Sequence, residues 1–301
     1  MSMNANEISR NLSTAFGKRK DRIPPGTDAL RLVDGPGDHF HDLVIDDFAG
    51  HWIAQTKGDS LPDEIADAGH FRSLWWKRLA KEGKEAPELV AGSAPTPPLL
   101  VRENGLAFEI DPAAGYSCGL FLDQRDNRAR VKELTAPGHR VLNTFAYTCG
   151  FSVAAASAGA ETTSIDLSGN YLDWGRRNFA HNDLDTSDHH FGKGDVFGRL
   201  RFFAKRSITF HGIVLDPPTF SRSKESGAFR VEKDYGELTK LAASCLEPGG
   251  WILCSANTHR LNERYFFDEL QSATRGRFEM VSAPMPFDFP RSNHLKSIWL
   301  T

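Results

Sequence analysis

The sequence has little of what would commit it to a membrane, a secretory route or a metal. No apolar run approaches the ~20 residues that span a bilayer. Residues 1–20 are polar and charged and hold no apolar core of a signal peptide. The four cysteines, Cys118, Cys149, Cys245 and Cys254, have neither metal-ligand spacing nor the density of a disulfide framework, so reduced thiols in a cytoplasm are expected. A net charge of -3 removes any global attraction to nucleic acids or anionic membranes and leaves such binding to local patches. Repeats at solenoid spacing and low-complexity tracts are absent too. What is there, 40% hydrophobic and 25% charged residues in a 301-residue chain, describes a globular protein of one large or two modest domains.

Three stretches differ in character. Residues 1–27 are polar, with Gly17-Lys18-Arg19-Lys20-Asp21-Arg22 ahead of Pro24-Pro25-Gly26, and read as a flexible basic arm. Its cations form either a solvated face or a nucleic-acid contact. Residues 28–118 read as a small β-rich domain, a candidate substrate contact. Short strands (30–33, 43–46, 52–54) are separated by turn signals at Asp34-Gly35-Pro36-Gly37 and Ala49-Gly50, which suggests a small antiparallel sheet. Residues 71–84 are expected to be helical. Trp75, Trp76, Lys77, Arg78 and Lys81 there suit the apolar face and polar rim of a packed helix, or an RNA-stacking surface. Residues 91–98 read as a linker, and Asn104-Gly105 as a hairpin turn.

From residue 119 to 301 strands and helices alternate. Strands are expected at 140–143, 161–165, 212–215 and 251–254. Helices are expected up to about 134 and at 151–158, 170–182, 198–205, 232–246 and 263–273. This spacing predicts an α/β fold with a doubly wound parallel sheet.

Ile213-Val214-Leu215 runs into Asp216-Pro217-Pro218-Thr219-Phe220. An apolar run ended by prolines reads as a buried parallel strand, and open α/β sheets bind ligands beyond the carboxyl ends of such strands. An ordinary strand with a proline turn is the plainer reading. Upstream, the loop Asn143-Thr144-Phe145-Ala146-Tyr147-Thr148-Cys149-Gly150 stands where a dinucleotide fold places its phosphate loop, with one glycine in place of Gly-x-Gly-x-x-Gly. Bulky Phe145 and Tyr147 oppose the close backbone approach a pyrophosphate needs, so the loop better suits a nucleoside without phosphates. Asp166 at the end of the next strand can accept from both hydroxyls of a ribose. Asp195 can reach an adenine amino group, or simply cap the following helix. Adenosine without phosphates, next to an Asp-Pro-Pro tip, points to S-adenosylmethionine.

Taken in order, Gly119-Leu120-Phe121-Leu122-Asp123-Gln124-Arg125, the 143–150 loop, Asp166-Leu167-Ser168, Asp195-Val196-Phe197 and Asp216-Pro217-Pro218 resemble the Rossmann-like class I methyltransferases that modify bases of large-subunit (23S) ribosomal RNA. Asp216 to Lys224, with Tyr171-Leu172-Asp173-Trp174 and Arg177-Asn178, is closest to the guanine-N7 branch. The related cytosine-C5 branch uses a cysteine nucleophile where this chain has Asn257, and Cys254, three residues earlier, reads as a buried inert thiol.

The resemblance implies a cofactor site built from Gln124 and Arg125, from Asn143, Phe145, Ala146, Tyr147, Thr148 and Gly150, and from Asp166, Leu167, Asp195, Val196 and Asp216. Arg125 would pair with the carboxylate of the cofactor's methionine end. It implies a catalytic set of Asp216, Pro217, Pro218, Phe220 and Asn257. Asp216 and the Pro217 carbonyl would accept from base N–H groups, Phe220 would stack on the base and Asn257 would line its pocket. The N7 lone pair of guanine is free, so transfer would need neither a general base nor a covalent intermediate, and catalysis would come from alignment. The partner would be 23S rRNA or a ribosome-assembly intermediate, with no membrane and no metal. The alternatives are a cytosine-C5 RNA methyltransferase, a methyltransferase of a non-RNA acceptor, and a non-catalytic ribosome-binding factor that kept the fold.

Overall fold

The computed structural model describes residues 3–58, 60–68, 70–79, 86–115, 117–223 and 227–301, so Lys81, Lys84 and Lys224 lie outside the described residues. The chain divides into two compact units, Met1–Arg125 with Pro286–Ser292, and Asp126–Met285 with Asn293–Thr301; the boundary expected from the sequence stands after residue 118.

The first unit corrects the reading of residues 1–27 as a flexible arm. Helix α1 (Ala5–Lys20) opens on a capping box: the Asn4 side chain accepts from the Glu7 N–H, and the Glu7 carboxylate accepts from the Asn4 N–H. Ile8, Leu12 and Ala15, spaced by four and three residues, bury one stripe of it. One more turn along, Arg19 of the basic run is buried. Its two terminal nitrogens donate to Asp38 at 3.1 and 2.6 Å, and Nε donates to the Arg31 carbonyl at 2.6 Å. The apolar stripe sits at helical spacing inside a polar composition, and composition alone concealed it.

Strands β1 (Ala29–Asp34), β2 (Val44–Phe48), β3 (His51–Thr56), β4 (Ser73–Arg78) and β5 (Glu88–Gly92) form one sheet in the order β1-β2-β3-β4-β5. The first three pair antiparallel, as expected. Short helix α2 (Asp63–Asp67) then carries the chain across so that β4 lies parallel to β3. Residues 73–78 are therefore strand, not helix. Trp75 and Trp76 are good strand formers, and the sheet pairs them on both sides, which outweighs a weak helical period. Strand β5 likewise takes the first part of the expected linker. Strands β6 (Leu99–Glu103) and β7 (Leu106–Ile110) make the expected hairpin, with Asn104 and Gly105 both left-handed, as a two-residue turn of this hand requires.

The returning segment Pro286–Ser292 is held inside this unit by Asp288. Its carboxylate receives both terminal nitrogens of Arg125 and, at 2.8 Å, the Arg31 backbone N–H; Arg19 donates to its carbonyl at 3.0 Å. Arg125 and Asp288 are fully buried, so removing either partner alone strands a charge, at a cost of about 3–5 kcal/mol.

The second unit holds, in chain order, α3 (which begins in the first unit: Arg125–Leu134), β8 (Arg140–Thr144), α4 (Gly150–Ala156), β9 (Glu161–Asp166), α5 (Gly169–Ala180), β10 (His190–Lys193), α6 (Val196–Lys205) and β11 (Phe210–Leu215). A hairpin of β12 (Phe220–Ser223) and β13 (Gly227–Arg230) follows, then α7 (Val231–Ala243), β14 (Leu246–Asn257), α8 (Glu263–Thr274), β15 (Met280–Ala283) and β16 (Leu295–Leu300). The seven-stranded sheet runs β10-β9-β8-β11-β14-β16-β15. Strands β8 to β11 and β14 are mutually parallel, and β16 enters antiparallel between β14 and β15. The chain moves outward from β8 to β10 and then returns to the other side of β8. The switch point of the sheet therefore lies between β8 and β11.

Side chains alternate across these strands. Leu142, Ile213, Leu215, Ile252 and Cys254 face a core shared with α6, α7 and α8, whereas Val141, Val214 and Leu253 face one shared with α3 and α4. Burial on both faces explains why the apolar runs are continuous. The sequence showed no strand for β12, β13, β15 or β16, all short or polar in part.

Three imidazoles in this unit accept backbone N–H groups through Nδ1. His139 takes Ala136 N–H, His211 takes Arg140 N–H, and His189 takes Thr162 N–H, at 3.1 to 3.2 Å. His139 and His211 also stack at 4.5 Å. Burial, and for His139 the neighbouring His211, lowers the pKa of His139 and His189 below 6.5. A histidine whose folded pKa is depressed contributes stability that is complete above the unfolded value and is lost as pH falls through the folded one. Half-buried Asp166 is shifted upward and acts in the opposite sense, so a comparison of variants is the cleaner measure. Replacing His139 and His189 by Asn, whose carbonyl can take the same N–H groups, is expected to flatten the fall in melting temperature between pH 7.5 and 5. Thermal melts of both proteins across that range check it.

Candidate active site at the carboxyl edge of the sheet

The loop from β8 to α4 is tightly wound. Phe145, Tyr147 and Cys149 all sit in the left-handed region, with φ of 52°, 48° and 62°. Non-glycine residues there cost on the order of 1–3 kcal/mol each and persist only where the surroundings determine them. Here the surroundings do. Ala146 N–H donates to the Ile165 carbonyl, Tyr147 N–H to Asp166 Oδ2 and Cys149 N–H to the Ala146 carbonyl, at 2.8 to 2.9 Å. The Asn178 amide donates to the Thr148 carbonyl at 2.9 Å. The Cys149 side chain presses on Gly175, where an added Cβ would lie 2.3 Å from its sulfur, so α5 can approach only without a side chain at that position. The Tyr147 ring meets Tyr171 edge-on at 4.6 Å. Buried Asn143 donates to Ser152, which bonds Ser164, tying β8, α4 and β9 together. Gly150 is the first residue of α4.

Asp166 ends β9. Each of its carboxylate oxygens already accepts one backbone N–H, from Tyr147 and from Ser168 at 2.8 Å. Carboxylate oxygens offer about four lone-pair sites in all, so acceptor capacity for ribose hydroxyls remains. Burial pushes its pKa up, against the pull of these N–H groups. Asp195 caps α6, accepting from Gly198 N–H at 2.9 Å. Between the two strand ends runs a cleft lined by Phe145, Leu167, Asp195, Val196, Phe197 and Phe229. Asp195, Asp234, Glu237 and one cation, Arg201, share the lining with these apolar side chains, which suits a nucleoside and offers no cluster of cations to a phosphate. An adenosine-bearing cofactor fits this donor set.

At the end of β11, Asp216-Pro217-Pro218-Thr219 turns into the β12–β13 hairpin, and the Phe220 ring is 55% exposed. Thr219 Oγ1 donates to the Asn257 carbonyl at 2.7 Å, which brings the Asp-Pro-Pro loop and the end of β14 together. Beneath them lies Tyr235 of α7. Its hydroxyl stands 2.9 Å from both the Leu215 and Ser255 carbonyls, one residue before Asp216 and two before Asn257. Burial raises its pKa well above 10, so it remains a donor. Cys254 is fully buried between β11 and β16, its thiol pushed up to about 12 by burial.

Gln124 and Arg125 belong to the first unit. The Arg125 guanidinium aims both terminal nitrogens at the buried Asp288 side chain. Three contributors have no signal in the motifs: Tyr235, Phe229 and Gly175. Tyr235 resembles any core aromatic of an amphipathic helix, and only the strand ends it touches reveal its position. Among the described residues, no group of His, Cys, Asp and Glu is placed to hold a metal, and no helix is long and apolar enough to cross a membrane. Replacing Tyr235 by Phe is expected to lower turnover about tenfold while leaving cofactor affinity within twofold, since a misplacement near the reacting groups is costly and the cleft is not touched. Single-turnover rates beside calorimetric titration of the cofactor product check this.

Comparison with known proteins bears on what this edge holds. Residues 72–294 match the S-adenosylmethionine-dependent methyltransferase family. The ribosomal RNA large subunit methyltransferase I of Aeromonas salmonicida is 41% identical over 261 residues, 81% of this chain and 64% of that protein. YwbD of Bacillus subtilis is 33% identical over 296 residues, 91% of this chain and 74% of that protein. The crystal structure of SMU.776 complexed with SAH superposes with a TM-score of 0.90 at 28% identity, covering 100% of this chain and 83% of that one. By the match over residues 72–294 and these relatives, the chain belongs to the S-adenosylmethionine-dependent methyltransferases and is an enzyme that uses that cofactor.

Proposed function

We propose that the acceptor is a base of large-subunit ribosomal RNA, guanine N7 in preference to cytosine C5, methylated by direct non-covalent transfer. The ribosomal RNA assignment is supported by the names of relatives such as the Aeromonas salmonicida enzyme and that of Deinococcus radiodurans, 32% identical over 280 residues, 87% of this chain and 65% of that protein. The observation that carries the chemistry is the tip where Asp216 to Phe220 meets Asn257: polar acceptors and an exposed ring, and no thiol.

Phe145, Leu167, Val196 and Phe197 would enclose the adenine, Asp166 would accept from the ribose hydroxyls, and Asp195 would face the adenine amino group while capping α6. Ala146, Tyr147, Thr148 and Gly150 contribute the backbone of the wall, and Asn143 fixes it from behind. The cofactor, when bound, supplies an electrophilic sulfonium methyl. All else falls to the protein. Asp216 and the Pro217 carbonyl accept from the N–H groups of the base, Pro218 holds the turn rigid, Phe220 stacks on the ring for roughly 1–3 kcal/mol, and Asn257 borders the pocket. Extrusion of a paired base costs a few kcal/mol, least where the target is already unpaired.

Carbon-5 methylation of cytosine needs a thiolate to add to the ring. Cys254 has no path to a substrate and a thiol that burial holds in its neutral form, and the position expected for the nucleophile is Asn257.

Replacing Asp216 by Ala is expected to cut methyl transfer to ribosomal RNA by at least a hundredfold, with cofactor affinity within a few-fold. Activity within twofold of wild type would remove Asp216 from the mechanism. The Cys254→Ser protein is expected to stay active, and complete loss in a folded protein would favour the C5 reading. Mass mapping of labelled nucleotides in ribosomal RNA from a deletion strain locates the nucleotide modified, and chromatographic comparison of the released nucleoside with N7- and C5-methylated standards identifies the atom. Labelling no better than in wild-type RNA would sink the RNA assignment.

A further inference from the structure

The β12–β13 hairpin follows the Asp-Pro-Pro tip, and its two faces differ. The strands pair with Phe220 opposite Arg230 and Ser221 opposite Phe229, and Arg222 opposite Ala228. Residues directly opposite in an antiparallel pair share a face, and neighbours along a strand alternate. Phe220, Arg222, Ala228 and Arg230 therefore make one face, and Ser221 and Phe229 the other. Burial follows the same alternation. Phe220, Arg222, Ala228 and Arg230 are exposed, Ser221 is half-buried and Phe229 is 6% exposed.

The inner face belongs to the cofactor cleft. The Phe229 ring lies 6.0 Å from Phe145 and 5.8 Å from Phe197, within the range of aromatic contacts. Ser221 and Phe229 line the cleft beside Asp195 and Leu167, joined there by exposed Gly227 and Ala228 near the turn, whereas Phe220, Arg222 and Arg230 do not line it. The outer face carries one aromatic ring and two guanidinium groups within a few residues. Such a ring stacks on any base, and such cations neutralise phosphates, which together recognise single-stranded nucleic acid. The hairpin is anchored at both ends. Val231 N–H donates to the Thr219 carbonyl, and Arg230 N–H donates to Asp234 Oδ2 at 2.7 Å as α7 begins.

We propose that this ribbon is a two-faced binding element, in which Phe229 is a wall of the cofactor site and Arg222 and Arg230 bind phosphates flanking the base that Phe220 stacks on. The second half rests on the proposed RNA acceptor. Because the two faces share one pair of strands, order imposed on the inner face by the cofactor is transmitted to the outer one. Cofactor and RNA then raise each other's affinity by the same factor, as linkage requires.

The test uses the full-length protein, the cofactor product SAH and a 23S rRNA transcript. Wild type is expected to bind the transcript about fivefold or more tightly when saturated with SAH, at the low end of typical couplings. Phe229→Leu, which keeps an apolar core residue, is expected to weaken SAH about tenfold and to reduce that coupling to near one. The double variant Arg222→Gln, Arg230→Gln is expected to bind SAH as wild type does, to bind the transcript more weakly, and to show a salt dependence shallower by nearly two. Each variant is first matched to wild type by its thermal melt. If Phe229→Leu fails to fold, slowed amide exchange of residues 220–223 and 227–230 on adding SAH to wild type replaces it, and unchanged exchange overturns the proposal. Wild-type SAH affinity in folded Phe229→Leu overturns the inner face, and wild-type affinity and salt slope in the double Gln variant overturn the outer one. A wild-type protein that binds SAH but no transcript removes the RNA acceptor and the outer face with it, leaving the inner face to be judged on Phe229→Leu alone.

Discussion

The register of β11 between β8 and β14 governs the rest of the site. Leu215 lies opposite Thr144 on one side and Cys254 on the other, so β8 and β11 end at one level and β14 runs three residues beyond it. Parallel strands present their carboxyl ends to the same edge. Whatever follows Thr144, Asp166 and Leu215 is therefore delivered to one place without further instruction. Burial on both faces holds the register, since a slip of one residue would carry Ile213 and Leu215 into the opposite core and Val214 the other way. Gly212 serves the same end, since an added Cβ there would stand 2.2 Å from the Trp251 ring.

On that level edge, hydrogen bonds perform most of the positioning. Asp166 is an instructive case. Its carboxylate organises the two loops on either side of it before any ligand is considered, taking Tyr147 N–H from one and Ser168 N–H from the other. The left-handed residues of the 145–149 loop are tolerated because of this and because Ile165, Asn178 and Gly175 receive the rest of the loop. A glycine-rich loop reaches such conformations cheaply. This one reaches them through its surroundings and keeps two aromatic side chains for the cleft and its flank. On the acceptor side, Tyr235 and Thr219 do the corresponding work, tying the ends of β11 and β14.

Charge inside the first unit follows a different economy. Arg19 pairs with Asp38, Arg31 with Asp46 and Arg125 with Asp288, and the bonds that Arg19, the Arg31 N–H and Arg125 make to Asp288 secure the Pro286–Ser292 segment. Buried ion pairs contribute little net stability but are costly to break singly, which makes them good fasteners of one arrangement. Arg125, through its pair with Asp288, is one of these fasteners.

Much of this protein was legible in its sequence for a definite reason. Strand 213–215, the Asp-Pro-Pro tip, the single-glycine loop and the acidic strand ends are local features whose physical meaning survives without neighbours: continuous apolar runs are buried twice, prolines end ladders, and bulky loop residues exclude a pyrophosphate. Helix α1 and strand β4 were not legible, because a stripe of three apolar residues and a pair of tryptophans acquire their roles only from what packs or pairs with them. The same is true of the site. Asp166, Asp195, Asp216 and Phe220 stand out by position in the chain, whereas Tyr235 and Phe229 look like any core aromatic until the fold brings one beneath two strand ends and the other into the cleft. Sequence alone determined the alternating α/β order of the second unit and the kind of cofactor it would take. Tertiary structure decided which side chains hold that edge in place and which are spent elsewhere, because a hydroxyl or guanidinium has no role until its partner is within about 3 Å.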